Sequence, residues 1–255
     1  MTAVRQPQLP TREVLRTELL LVVALSLGAA AVYAVLNLVR DVLRGPLAAQ
    51  TSTVVGSRAE QPWLDLLFQL ARISLALVPV LLVAHFLARS GESLRTLGAD
   101  AAEPRRDLAR GAVLAAVVGG TGLALYLGAY AAGLNTAVVV TTLEPSWWRD
   151  PLLVLAAAQN ALLEEIVVLG YVMHRLQQLG WSFGRAAVAS SLLRGSYHLY
   201  QGFGGFLGNA LMGVLFCLLL RRWKRVGPFV VAHTLIDVVA FVGYAELHGR
   251  VSWLP

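Results

Sequence analysis

Residues 151–173 read PLLVLAAAQNALLEEIVVLGYVM, an apolar run about as long as a helix rising ~1.5 Å per residue needs to cross ~30 Å of hydrocarbon. Two adjacent carboxylates, Glu164 and Glu165, sit inside it, flanked by Leu162, Leu163, Ile166, Val167, Val168 and Leu169. A carboxylate at membrane depth costs about 2.5–3.5 kcal/mol on insertion scales, so an intramembrane pair points to function rather than to a solvated surface. The pair suits a general base or a proton carrier. A structural ion pair tying helices together is the other reading, and the stretch alone leaves it open.

Working outward, the rest of the chain agrees with a membrane setting. Its 255 residues are 57% hydrophobic and 14% charged, too few polar side chains to clothe a soluble globule of that size. Apolar runs near Leu19–Val39, Leu64–Ala88, Gly111–Ala131, Pro151–Met173, Phe183–Leu199, Phe206–Leu220 and Pro228–Leu247 predict an all-α polytopic transmembrane bundle of about seven helices. The fifth and sixth runs are short and separated by the glycine-rich segment Gln201–Gly205, which predicts a tight helical hairpin within the membrane. Residues 1–110 read as N-terminal helices and a charged cytoplasmic loop forming a structural annex. Residues 111–255 read as the membrane core that carries the catalytic helices.

A net charge of +6 raises the question of nucleic acid, and the placement of the basic residues answers it. With the N-terminus inside, Arg5, Arg12, Arg16, Arg89, Arg95, Arg105, Arg106, Arg110, Arg175, Arg185, Arg221, Arg222, Lys224 and Arg225 all fall on the inner side, against Arg40, Arg44, Arg58, Arg149 and Arg250 outside. That bias is the positive-inside pattern, and the basic residues read as topology signals with no nucleic-acid partner expected. Arg72 and Arg194 are left within the membrane. Trp63, Trp147, Trp148, Trp181, Trp223 and Trp253 fall at or just beyond span ends, as an interfacial aromatic belt requires. The first apolar run is longer than a signal-peptide core and reads as a retained helix. Lys224 is the sole lysine, a hint of a GC-rich bacterial genome and hence of a bacterial plasma membrane. The single cysteine, Cys217, excludes an intramolecular disulfide and a thiolate metal cluster.

Further polar residues lie in the C-terminal runs. The fifth carries Arg194 and His198 at i and i+4, on one helix face, with Tyr197, Tyr200 and Gln201 beside them. The seventh carries His233 and Asp237 with the same spacing, where the carboxylate can accept an imidazole N–H and fix its tautomer. A carboxylate pair on one helix and an imidazole on each of two others can converge on one water molecule. His85, His174 and His248 lack such company and are assigned to packing or the interface. Counted from the inner loops at ~1.5 Å per residue, Glu165 lies about 15 Å deep, His233 about 10 Å and His198 about 22 Å. Straight, upright helices would hold these apart, so tilt, a break near Gly195 or an intramembrane start of the fifth helix is expected.

Four motifs in succession, Glu164-Glu165-Ile-Val-Val-Leu-Gly170-Tyr171, Ser-Leu-Leu-Arg-Gly-Ser-Tyr-His198, Asn209-Ala-Leu-Met-Gly213 and His233-Thr-Leu-Ile-Asp237, resemble the CAAX-protease and bacteriocin-processing family of intramembrane endopeptidases. The resemblance covers roughly Pro151 to Gly243. It implies that Glu164 activates the attacking water, that Glu165 supports the site, and that His198 and His233 orient the water and stabilise the oxyanion. Asp237, where the family has Asn or Asp, would hold His233 in place; Asn209 and Arg194 are supporting residues. Two positions depart from the family pattern: Leu169 stands where Arg is usual and Arg194 where Phe is usual, so Arg194 can supply the cation that Leu169 cannot.

The activity this implies is hydrolysis of a peptide bond in a membrane protein or lipidated peptide, with the bilayer as setting and no cofactor. Zinc held by His198, His233 and Glu164 is the alternative, since two imidazoles and a carboxylate with water in the fourth place make a catalytic site. A proton-coupled transporter and a non-catalytic scaffold or immunity protein are the readings from other classes. No inverted repeat supports the first.

Overall fold

The computed structural model describes residues 10–251; Arg5 and Trp253, placed above in the inner basic cluster and the aromatic belt, lie outside them. Helices α1 (Arg12–Ala24) and α2 (Leu27–Arg44) lead into strand β1 (Thr51–Val55), then α3 (Pro62–Ala76), α4 (Val78–Arg89), α5 (Pro104–Ala131) and strand β2 (Ala137–Thr141). The C-terminal half holds α6 (Arg149–Leu163), a π-helical segment (Glu164–Val172), α7 (Met173–Gln178), α8 (Phe183–Tyr197), α9 (Phe203–Trp223) and α10 (Gly227–Leu247). Helix starts follow local chemistry: the Thr11 hydroxyl accepts from the Val14 N–H at α1, and α3, α5 and α10 each carry Pro in the first turn, where its missing N–H costs nothing.

Among the described residues, five helical stretches are long and apolar enough to cross a membrane: Pro62–Arg89, Pro104–Ala131, Arg149–Gln178, Phe203–Trp223 and Gly227–Leu247. The pair α1 and α2 makes a sixth if read as one span bent by 46°. The protein is thus an integral membrane protein by its helices, with five or six such stretches rather than seven. The run Phe183–Leu199 does not count among them, because α8 has 15 residues and a helix needs about 20 to span. It forms instead one arm of the expected hairpin with α9. At its tip Gly202 adopts φ +105°, and a Cβ there would lie 2.5 Å from the Leu134 carbonyl oxygen. No break occurs at Gly195; α8 runs through it, and the missing side chain lets α8 close on Phe206, whose carbonyl oxygen a Cβ would meet at 2.8 Å.

The all-α expectation also misses the strands. β1 and β2 pair in parallel, Thr51 opposite Ala137 and Val55 opposite Thr141. Their sequences, TSTVV and AVVVT, are β-branched, and at five residues each they are far too short to register as spans. The loop after β2's predecessor α5 ties this sheet to the hairpin tip: Phe203 N–H donates to the Leu134 carbonyl, Thr136 N–H to that of Gln201, and Gly204 N–H to Asn135 Oδ1 at 2.9 Å.

Loops assigned to the inner side meet one another. Arg89 pairs with Glu18 at 3.1 Å, Arg225 with Asp100 and Asp107 at 3.0 and 2.7 Å, and Arg110 stacks on Trp223. Arg149 meets Glu246 elsewhere. The segment quoted first is the centre of the bundle: every residue from Glu164 to Met173 is buried, while α2 and α5 turn Leu36, Leu43, Val113 and Val117 outward, as lipid contact requires.

Candidate active site

The two glutamates open the π-helical segment. Bonding from i to i+5 widens the turn and reduces the rotation between neighbours, which brings adjacent side chains toward one side, and such segments recur at functional sites. Ser190 of α8 donates to the Val168 carbonyl at 2.9 Å, fixing α8 against this widened turn. α8 thereby delivers Arg194 to the carboxylates.

Glu165 is fully buried and holds two groups through one oxygen. Its Oε1 accepts from Arg194 Nη2 at 2.5 Å and from His233 Nδ1 at 2.7 Å. Because Glu165 carries the Arg194 ion pair and acts as acceptor, Nδ1 of His233 is the donor. Glu164 is placed differently. Its Oε2 accepts from the Tyr197 hydroxyl at 2.8 Å and lies 4.0 Å from Arg194, while Oε1 has no hydrogen bond to any described residue. Glu164 lines a cavity of about 550 Å³ together with Asn160, Tyr197, His198, His233 and Asp237. That size lies within the roughly 300–1,000 Å³ of ligand pockets.

His198 ends α8, and its Nδ1 lies 3.0 Å from the Arg194 carbonyl oxygen. A carbonyl can only accept, so Nδ1–H donates and Nε2 is free for a ligand. His198 thus faces the cavity without belonging to the tight group of Glu164, Glu165 and His233, whose ligand atoms lie within 4.8 Å of one another. Two residues are placed otherwise than the spacing suggests. Asp237 Oδ2 stands 3.6 Å from His233 Nε2, beyond hydrogen-bond range, and takes a long 3.4 Å contact from Asn160; the carboxylate that orients His233 belongs to Glu165. Asn209 donates to the Gly205 carbonyl of its own helix at 2.9 Å and does not line the cavity.

Sequence reasoning passed over several groups. Tyr197 was visible only as a neighbour of His198. Asn160, one turn before Glu164, shares its helix face, a signal that was available. His174, assigned to packing, lies 2.7 Å from Glu92, in a cluster with Arg175 and Gln178 remote from the cavity. The N-terminal elements read as an annex form much of the cavity wall: Asn37 and Asp41 of α2, residues 51–55 of β1, and Arg72 of α3.

Residues 146–239 match the family model described as type II CAAX prenyl endopeptidase Rce1-like. This stretch contains all four motifs and every side chain from Glu164 to Asp237 described above, so the resemblance is shown over the helices that carry Glu164, Glu165, Arg194, His198 and His233, and not over the N-terminal part of the cavity wall. The family is one of proteases acting in a membrane context on peptide substrates. No curated protein and no solved structure matches the chain.

Proposed function

We propose that this protein is an intramembrane endopeptidase of a bacterial plasma membrane, N-terminus inside, that hydrolyses a peptide bond of a membrane-associated protein or lipidated peptide using a water activated by Glu164. The observation that carries the reading is the division of labour between the paired glutamates. Glu165 is buried and committed to Arg194 and His233, whereas Glu164 keeps Oε1 uncommitted and lines the cavity. A general base must reach the proton it takes, and Glu164 alone of the two can.

In this reaction Glu164 removes a proton from water as the oxygen attacks the scissile carbonyl carbon. His198, through its free Nε2, orients the water, and His233 stands beside the oxyanion, held by Glu165. The proton on Glu164 then passes to the leaving nitrogen as the C–N bond breaks, so no covalent intermediate forms. Arg194 offsets the charge of two adjacent carboxylates at membrane depth, which would otherwise repel one another.

The donor set does not suit zinc. Glu164 Oε1 and His198 Nε2 are free, but the Arg194 guanidinium lies 4.0 Å or less from both carboxylates, so a divalent cation held by Glu164, His198 and His233 would face a fixed positive charge. We therefore favour the metal-free reaction. Purified protein in lipid, offered a panel of quenched membrane-tethered peptides, is expected to cleave with unchanged rate after chelation and to lose activity in His198→Ala. Loss on chelation with restoration by zinc would overturn the metal-free reading. Silence toward the whole panel would count against a protease.

A further inference from the structure

As water attacks a carbonyl carbon, the carbonyl oxygen gains negative charge and is stabilised by a hydrogen-bond donor already in place. The two histidines, when neutral, have no hydrogen left for it. His198 spends its N–H on the Arg194 carbonyl and His233 spends its own on Glu165, which leaves Nε2 of each as an acceptor. A doubly protonated His233 would turn its Nε2–H toward Asp237 Oδ2, 3.6 Å away, and that carboxylate would compete with the oxyanion for it. Tyr197 has given its hydroxyl hydrogen to Glu164, and the Asn160 amide leans on Asp237.

Tyr200 is placed differently. After α8 the chain makes one tight turn, Leu199–Gln201, in which the Gln201 N–H bonds the His198 carbonyl at 3.0 Å. Residues three apart eclipse in such a turn, which brings Gln201 to the side of His198. Tyr197, His198, Tyr200 and Gln201 all line the cavity, and Leu199 does not. The Tyr200 ring stacks on that of His198 with centroids 6.3 Å apart, and the phenol lies near enough to Glu164 and Asp237 to feel both charges. Its oxygen accepts from Gln201 Nε2 at 2.9 Å. That bond fixes the phenol while its own O–H is given to no described residue. Gln201 fits there because residue 205 is glycine: a Cβ would lie 2.8 Å from Gln201 Cβ and 3.1 Å from its Oε1.

We propose that Tyr200 is a catalytic residue, whose hydroxyl, held by Gln201, donates a hydrogen bond to the scissile carbonyl oxygen in the tetrahedral intermediate. This assignment rests on the protease reading above and deepens it. As the water oxygen bonds to the carbonyl carbon, the water proton passes to Glu164 and the carbonyl π pair moves onto the oxygen, where the Tyr200 O–H meets it. When the C–N bond breaks, the carbonyl re-forms and the proton on Glu164 goes to the leaving nitrogen. Tyr200 keeps its own proton throughout. Gln201 is the positioning residue behind it.

The test compares Tyr200→Phe with the unaltered full chain in lipid nanodiscs. The probes are a quenched membrane-tethered peptide that the unaltered protein cleaves and the same peptide with a phosphinate in place of the scissile amide. Tyr200→Phe keeps the ring and removes only the O–H. It is expected to lower kcat by about 10²–10³-fold with KM and the unfolding midpoint unchanged, and to weaken phosphinate inhibition by a similar factor. Gln201→Leu, which leaves the phenol but frees it to turn, should lower kcat by about tenfold and leave KM alone; it also carries the test if Tyr200→Phe does not fold. An unchanged kcat in Tyr200→Phe overturns the proposal. So does a rise in KM equal to the loss of phosphinate affinity, which would mean uniform binding, and so does a loss of rate that only tracks a lowered midpoint. An unchanged kcat in Gln201→Leu overturns the positioning role. Lost cleavage in Glu164→Gln beside full cleavage in Tyr200→Phe sinks the Tyr200 assignment alone. Undiminished cleavage in Glu164→Gln, or no cleavage of any peptide by the unaltered protein, sinks the protease reading and takes the assignment with it.

Discussion

Arg175 and Arg194 are both buried in the helical core beside carboxylates, and they are satisfied to different degrees, Arg175 leaving only its Nε without a partner among the described residues. Arg175 gives Nη1 to Glu92 and Gln178 at 2.7 and 2.6 Å, and Nη2 to the Phe86 carbonyl and Ser90 at 3.1 and 2.9 Å. Glu92 in turn accepts from Gln178 and contacts His174. Arg194 makes one short bond to Glu165, while its Nη1 and Glu165 Oε2 have no partner among the described residues. A network that spends its donors on several elements holds those elements together. One that leaves buried groups unspent carries a cost that packing does not explain, which is what a site shaped for a reaction looks like.

The largest effect that can break this comparison comes from Arg194→Leu, which leaves Glu165 as an uncompensated buried charge. It should cost about 3–5 kcal/mol of stability and abolish cleavage. Leu169 lies one π-turn beyond Glu164, at the position where the family carries its arginine. Adding Leu169→Arg is expected to recover part of both losses even though that side chain is now packed in the apolar core. Recovery of neither would show that the cation must come from α8. Removing the other arginine, in Arg175→Met, should lower stability by a similar ~3–5 kcal/mol yet leave the rate per folded molecule unchanged. A specific loss of turnover there would erase the distinction between the two clusters.

Smaller effects sharpen the boundary of the site. Asp237→Asn should reduce cleavage by less than about tenfold, because the 3.6 Å separation from His233 is already past hydrogen-bond range; a loss as deep as that of Glu164→Gln would make Asp237 a direct participant. The smallest effect lies outside the membrane. The Ala102 N–H and then Arg225 hold the Asp100 carboxyl below its ordinary value of 3.8. A depressed carboxylate contributes stability that is present above that value and is lost as pH falls through the folded one. Thermal unfolding of Asp100→Asn should therefore fall less steeply than that of the unaltered protein as pH drops below about 4.

The helices were legible because a membrane span announces itself in about 20 apolar residues, and the site was legible because charge at that depth is rare. Glu164, Glu165, Arg194, His198 and His233 stood out against their own neighbours. What was hidden depends on pairing across the chain. β1 and β2 lie more than 80 residues apart in sequence and are five residues each, so no local period reveals them. The shortness of α8 was blurred by the apolar residues that continue into the hairpin turn. That Glu165 rather than Asp237 holds His233 follows from the widened π turn, which i, i+4 arithmetic cannot anticipate. Arg72 was visible as an intramembrane arginine, but only the fold shows which cavity it lines.

Cleavage rate and thermal unfolding of Glu164→Gln, measured on one preparation in lipid beside the unaltered protein, test the central claim most directly. The account predicts a rate lowered by about 10²–10⁴-fold with an unfolding midpoint no lower than that of the unaltered protein. Undiminished cleavage would contradict Glu164 as the base, and lost cleavage that merely tracks a lowered midpoint would make Glu164 a structural residue like those around Arg175.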